Sequence, residues 1–373
     1  MEPMTDTEAQ GAKSLAHIGL DAVRFAAALV VMLGHTVMLS RIETTGMSGD
    51  WRALSPIGSG EKLSLGTIAV VVFFVLSGYL VGGPAYRRIR EGTFRPKDYA
   101  LRRLTRLLTV LFPALVIGVI IDRLGFNHFR WGSLFECAHH VPSLIAQFIG
   151  NLLFLQTSQV GTLGSNWALW SLAYEFWYYV LFPLVWVAAT PSYRPAVRLS
   201  CASIALAIVP LIGVRMVLYG FLWAVGWCAA ILPKSEPTRG QVGVSLALFA
   251  GSMVVAKLID APQLFTGLLV AVGFGVALHR WVGLTATVHS TRLSQWIERG
   301  AAMSYTLYLF HLPCLCLLLS LWRTPWKPVP LGTHVLELTL FALLTLGYSW
   351  LMYRLFESRT GLIRSWLRGK TGG

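Results

Sequence analysis

Charge is what this sequence has least of. Of its 373 residues, 17 are acidic and 31 are basic, so 13% carry a formal charge while 55% are apolar. A soluble domain typically carries about 25% charged residues. Halving that fraction leaves too little polar surface to coat a globule of this size, so much of the apolar surface is expected to face lipid. Cysteine is also scarce. Cys137, Cys201, Cys228, Cys314 and Cys316 show no paired metal-ligand spacing, and four of them lie in apolar runs where a small thiol is ordinary packing. Neither a disulfide framework nor a zinc site is expected. Glu136-Cys137-Ala138-His139-His140 lacks a second half that would complete a metal site, and reads as a loop. A cleavable leader is not expected either. Residues 1–18 are polar and mixed, and the first apolar run carries Asp21 and Arg24 near its beginning, so it reads as an uncleaved first span.

What the sequence does have is long uncharged runs, among them 25–40, 63–86 and 242–256. Crossing about 30 Å of hydrocarbon takes roughly 17–25 such residues as a helix. Apolar segments at 19–40, 65–83, 104–121, 168–189, 199–214, 217–232, 242–258, 263–280, 301–320 and 335–355 predict an all-α, polytopic bundle of ten spans, the fifth and sixth short on either side of Arg215. The stretch 144–155 is too short to cross and reads as an interfacial or re-entrant element.

The net charge of +14 follows from Lys and Arg retained on cytoplasmic loops, without a nucleic-acid partner. The densest basic stretch, Arg87, Arg88, Arg90, Arg95, Lys97, Arg102, Arg103 and Arg106, lies between the second and third spans. With ten spans, Arg194, Arg198, Lys234, Arg239, Arg292, Arg299, Arg359, Arg364, Arg368 and Lys370 all fall on that same side. Both termini are therefore expected to be cytoplasmic. The organisation reads as a tail at 1–18, a transmembrane domain at 19–357 and a basic tail at 358–373, without an internal repeat, a low-complexity segment or a second soluble domain.

An ionisable side chain near the bilayer centre costs on the order of 2.5–3.5 kcal/mol on insertion scales, so each one is a functional candidate. Four clusters qualify. Arg24 and His35 are eleven positions apart, which is roughly three helical turns plus 20° and an axial rise of about 16 Å, so they share one face of the first span. Asp21, three residues before Arg24, is placed to pair with it. In Trp170-Ser171-Leu172-Ala173-Tyr174-Glu175, Ser171 and Glu175 share a face, and an aromatic belt does not account for the carboxylate. Ser304, Tyr308 and His311 follow the spacing of a single helix face, with His311 near the midplane. Arg102, Arg103 and Arg106 open the third span, and Arg102 and Arg106 present two planar forks suited to phosphate groups. The ordinary alternatives are a snorkelling Arg24, a structural His bridging two helices, and arginines that only set topology.

Taken in order, these segments resemble the acyltransferase-3 family of membrane O-acyltransferases, from Leu20 to about Glu357. Asp21-Ala22-Val23-Arg24, with ten residues between Arg24 and His35, resembles the family's Arg/Lys-x10-His motif. Phe73-Phe74-Val75-Leu76-Ser77-Gly78-Tyr79 is similar to its second-span signature, with Tyr79 in place of the usual Phe. Arg102-Arg103-Leu104-Thr105-Arg106-Leu107 with a late Pro113 resembles its basic third-span start. Trp170 to Glu175 resembles its Trp-Ser-Leu-x-x-Glu motif, and Ser304 to His311 its Ser-Tyr-x-x-Tyr-Leu-x-His motif.

The resemblance implies an acyl-CoA donor, usually acetyl-CoA, and a carbohydrate hydroxyl as acceptor: a cell-surface polysaccharide, a lipid-linked sugar or a small glycosylated metabolite. It implies residence in a bacterial inner membrane. Some members carry a fused extracytoplasmic esterase-like domain, and none is expected here. On this reading Arg102, Arg103 and Arg106 pair with coenzyme A phosphates, while Arg24 orients the pantetheine or stabilises charge near the thioester. His35 is the general base or forms an acyl-histidine. Glu175 orients the imidazole or binds acceptor hydroxyls, and His311 is a second acid/base or polarises the carbonyl. Trp170, Ser171 and Tyr308 line the substrate site. Ser77 and Ser171 lack a nucleophile elbow. A rival reading from another class is a secondary transporter or flippase that uses the intramembrane Arg, His and Glu as a proton relay. Such transporters often show inverted repeats, which the sequence lacks. Glycosyl transfer lacks an acidic metal-binding pair in a loop of useful size.

Overall fold

The computed structural model describes residues 12–45, 63–129, 143–233, 236–289, 291–322 and 331–371. The Glu136–His140 segment lies outside them. The described chain is a helical bundle, with one short antiparallel pairing of β1 (Ala12–Ser14) with β2 (Thr287–His289). Its helices are α1 (Leu15–Thr45), α2 (Leu65–Ser77), α3 (Gly83–Arg90), α4 (Pro96–Phe129), α5 (Leu144–Leu152), α6 (Leu169–Ala189), α7 (Pro195–Ile212), α8 (Val214–Ile231), α9 (Arg239–Leu258), α10 (Gln263–Val282), α11 (Arg292–Trp322), α12 (Leu331–Leu355) and α13 (Thr360–Thr371).

Ten stretches among the described residues are long and apolar enough to cross a membrane, and they coincide in order with the ten apolar segments of the sequence. α5, with nine residues, is too short to cross. Leu199, Leu206, Leu248, Leu336 and Leu343 stand exposed along the spans, as a lipid-facing surface requires. The interior is formed chiefly by α2 and α11, which α1, α4, α8 and α12 surround.

Several helices extend beyond the apolar windows. α4 begins at Pro96 rather than 104, because Lys97 to Arg103 continue the helix on its polar end. The expected basic loop is thus mostly helix, closed by a tight turn in which Thr93 N–H donates to the Arg88 carbonyl at 2.9 Å. The break between the fifth and sixth spans falls at Gly213, two residues before Arg215. Its φ of +81° is a conformation that only glycine adopts cheaply.

The second span changes pitch where it nears the site. After Ser77 the chain makes a π-helical turn, Gly78–Gly82, before α3. At this point α2 and α8 touch backbone to backbone. A Cβ on Gly78 would run into the Trp223 carbonyl, and one on Gly226 into the Val75 carbonyl. The absence of both side chains lets Trp223 Nε1–H reach Ser77 Oγ at 3.0 Å. Small residues at such crossings are the usual means of close helix approach in lipid, where burial in hydrocarbon gives no separate driving force.

Candidate active site

Four helices bring the polar residues of the spans together. On α1, Asp21 Oδ1 lies 3.5 Å from Arg24 Nη1, and both side chains are largely buried. Eleven residues further along the same helix, His35 meets His311 of α11. His35 Nδ1 and His311 Nε2 are 2.8 Å apart, with the rings nearly parallel at 7°. His311 is fully buried, and its Nδ1 lies 3.0 Å from the Leu307 carbonyl and 2.9 Å from that of Tyr308.

These contacts fix the tautomers of the neutral pair. Carbonyls only accept, so His311 Nδ1 must carry its proton. His311 Nε2 is then the acceptor, and His35 Nδ1–H donates to it. That leaves the lone pair of His35 on Nε2. The Trp167 indole packs against the His35 ring in a T-shaped contact, with centroids 6.0 Å apart.

A cavity of about 930 Å³, including its open mouth, runs into the bundle from the end that carries the arginines. Arg24, Arg103, Arg106, Ser171, Glu175, Ser304 and Tyr308 line it, with Phe73, Ser77, Tyr179 and Tyr305. Ser171 and Glu175 therefore share the inward face that their spacing implies. Of the basic triplet, Arg103 and Arg106 reach the cavity and Arg102 does not. Arg103 lies over the rings of Tyr99 and Tyr179 at 5.9 and 5.7 Å, and its buried Nε has no hydrogen-bond partner. Trp170 does not line the cavity. It is buried beside Phe74 and Tyr174, in an aromatic core.

Neither histidine lines the cavity. Tyr308 lines it and also packs against the pair, its ring 6.0 Å from His311 and 6.1 Å from Phe73. Its hydroxyl is held by Ser171 Oγ at 2.7 Å and by the Ala168 carbonyl at 3.1 Å.

Glu175 does not meet His35, which is partnered by His311. It accepts instead a short hydrogen bond from the Tyr179 hydroxyl. Tyr179 in turn lies 3.0 Å from Ser77 Oγ, which already accepts from Trp223. With both ends fixed, the order must be Trp223 N–H to Ser77, Ser77 O–H to Tyr179, and Tyr179 O–H to the carboxylate. Sequence reasoning missed Tyr179, although it follows Glu175 by four residues, one helical turn.

The far end of the bundle is closed by the segment 153–168. Asp122 on α4 accepts from Ser165 N–H at 2.9 Å and from Ser165 Oγ–H at 2.6 Å. Asn166 Nδ2–H donates to the Leu309 carbonyl at 2.7 Å. At the arginine end, Glu357 accepts from Thr306 N–H at 3.1 Å and from its hydroxyl at 2.5 Å, tying the end of α12 to α11. Among the described residues there is no group of three His, Cys, Asp or Glu side chains that could hold a metal ion.

A family profile described as an acyltransferase domain matches residues 17–354. An O-acetyl transferase of Shigella phage Sf6 is 28% identical over 170 residues, which cover 43% of this chain and 43% of the relative. An uncharacterized protein of Haemophilus influenzae is 27% identical over 128 residues, covering 33% of this chain and 50% of the relative. The chain spans about half the length of these curated relatives. No solved structure matches it.

Proposed function

The chain belongs to the acyltransferase-3 family of membrane acyltransferases, and on that premise we propose that it moves an acyl group, acetyl in the first instance, from acyl-CoA to a carbohydrate hydroxyl. The observation that carries this reading is the His35–His311 pair, with its basic nitrogen fixed on His35, joined through Tyr308 to a cavity bearing three arginines. The arginine end is taken as cytoplasmic, by the positive-inside rule, in a bacterial inner membrane.

The donor's phosphates pair with Arg103 and Arg106 at the mouth, and its pantetheine passes Arg24, which Asp21 holds. The acyl end advances toward Tyr308. An acceptor hydroxyl approaches His35 Nε2, which takes its proton as the oxygen attacks the thioester carbonyl. The tetrahedral intermediate collapses, the C–S bond breaks, and the departing thiolate takes the proton. His311 shares the positive charge that develops on His35, because its own Nδ1–H is anchored to two carbonyls. Glu175, fixed by Tyr179, offers a carboxylate to acceptor hydroxyls or a counter-charge to Arg24. Ser171 and Tyr308 line the path that the acyl group takes.

The test is donor dependence. Purified protein in liposomes receives acetyl-CoA labelled in its acetyl group, together with separate polymeric, lipid-linked and small glycosylated acceptors. Acetyl label should appear in one carbohydrate class. Movement of a glycosylated solute across the bilayer at equal rates with and without acyl-CoA, and no labelled carbohydrate, would replace this reading with transport.

A further inference from the structure

The lining of the cavity changes character with depth, and the course of each helix shows which residues lie at which level. α2 runs toward the tight turn that precedes α4, so Val70 and Phe73 sit deeper than Leu80 and Val81. α6 starts at the far end of the bundle, so Ser171 sits deeper than Glu175 and Tyr179. On α11, Tyr308 lies one turn beyond Ser304, toward His311. Charge is thus confined to the outer part, with Arg24, Arg103, Arg106 and Glu175. The inner end is mostly apolar, bounded by Val70, Phe73, Leu172 and Tyr308.

Two aromatic rings close that inner end. Phe73 and Tyr308 meet edge to face, with centroids 6.1 Å apart and planes at 71°. Both line the cavity, and both also pack on a second apolar cluster. That cluster includes Met32, one turn before His35, and Leu312, next to His311. The two rings are held differently. The Tyr308 hydroxyl is bonded to Ser171 Oγ and to the Ala168 carbonyl, so the ring cannot swing aside without stranding polar groups. Packing alone holds Phe73. A wall packed at protein density yields little to even one added methylene.

We infer that this inner end is the chamber for the donor's acyl chain, and that Phe73 sets the length it admits. An acetyl group fits against the ring, and each further methylene collides with it. The inference deepens the acyl-CoA reading above and rests on it. An apolar surround suits the hydrocarbon end of the donor, as the arginines suit its phosphates. A pocket built to reject one methylene discriminates by roughly 10–200-fold in kcat/KM. Phe73 touches the acyl chain and takes no part in proton transfer.

The experiment uses the full chain in nanodiscs, with acetyl-, propionyl- and butyryl-CoA displacing radiolabelled coenzyme A in the absence of an acceptor. Each affinity is taken relative to that of the same variant for coenzyme A itself. Intact protein should bind butyryl-CoA at least about tenfold more weakly than acetyl-CoA. Phe73→Ala removes the ring and should bring the two affinities within about threefold. Phe73→Leu should relax the limit for propionyl-CoA first, and it decides the matter if the alanine variant does not fold. Equal affinity of intact protein for acetyl- and butyryl-CoA would overturn the inference. So would a length preference that neither variant shifts, which would leave Phe73 as packing only. The transfer reading fails separately. Length-selective binding without labelled carbohydrate keeps the chamber and discards transfer. Label reaching carbohydrate equally from all three donors keeps transfer and discards the chamber. Absence of coenzyme A binding would discard both.

Discussion

His35 and His311 lie 276 residues apart in sequence, on different helices, and their imidazoles meet at 2.8 Å with one proton arrangement allowed for the neutral pair. The Leu307 and Tyr308 carbonyls hold the His311 proton, His311 holds the His35 proton, and His35 Nε2 is left basic. An imidazole oriented by a neutral partner resembles the aspartate-oriented histidine of hydrolase triads in logic, without a carboxylate.

If His311 positions His35, His311→Gln and His311→Ala should separate. The glutamine amide can still accept from His35 Nδ1–H, and alanine cannot. The alanine variant should lose about 10²-fold in kcat with little change in KM, and glutamine should recover part of it. Steady-state kinetics on both variants at matched melting temperature check this.

Tyr179 should matter through Glu175 and Ser77. Tyr179→Phe removes the hydroxyl that donates to the carboxylate and leaves Ser77 O–H without its acceptor. Loss of about 1–3 kcal/mol of stability is expected from the unpaired buried groups. Thermal melting in detergent reads it, with Tyr99→Phe for comparison, since Tyr99 O–H donates to a single carbonyl among the described residues, that of Tyr179 at 3.1 Å.

Gly226→Val should abolish folded protein. The side chain would meet the Val75 carbonyl, and backbone cannot rotate away as a flexible side chain can. Gly243→Val, at a position with open space, should be tolerated. Size-exclusion profiles of the two variants compare them directly.

Arg103→Lys tests whether a fork or only a charge is needed at the mouth. Lysine keeps the charge but loses the planar contact with Tyr99 and Tyr179. The KM for acetyl-CoA should rise by about tenfold, against a smaller change for Arg102→Lys, which lies off the cavity.

The spans and their number were legible because the hydrocarbon width imposes a minimum apolar run, and α5 was legible as too short. The shared face of Arg24 and His35 followed from helical periodicity alone. Contacts between distant helices were not legible in this way. Nothing in local pattern says that His35 finds His311 rather than Glu175. Spacings of three and four both lie on one helix face, so Arg102 and Arg103 were equally placed until packing turned Arg103 and Arg106 inward. Asp122 went unnoticed because its partner, Ser165, lies in a segment without periodicity.

The central claim is that the His35 nitrogen receives the acceptor's proton. The most direct measurement is acetyl transfer from labelled acetyl-CoA to the carbohydrate acceptor by intact protein and by His35→Ala, at equal folded protein and equal donor binding. A loss of about 10²–10⁴-fold in kcat with donor affinity unchanged is the expected result. Equal labelling by both proteins would contradict it and would leave the histidine pair a structural bridge between α1 and α11.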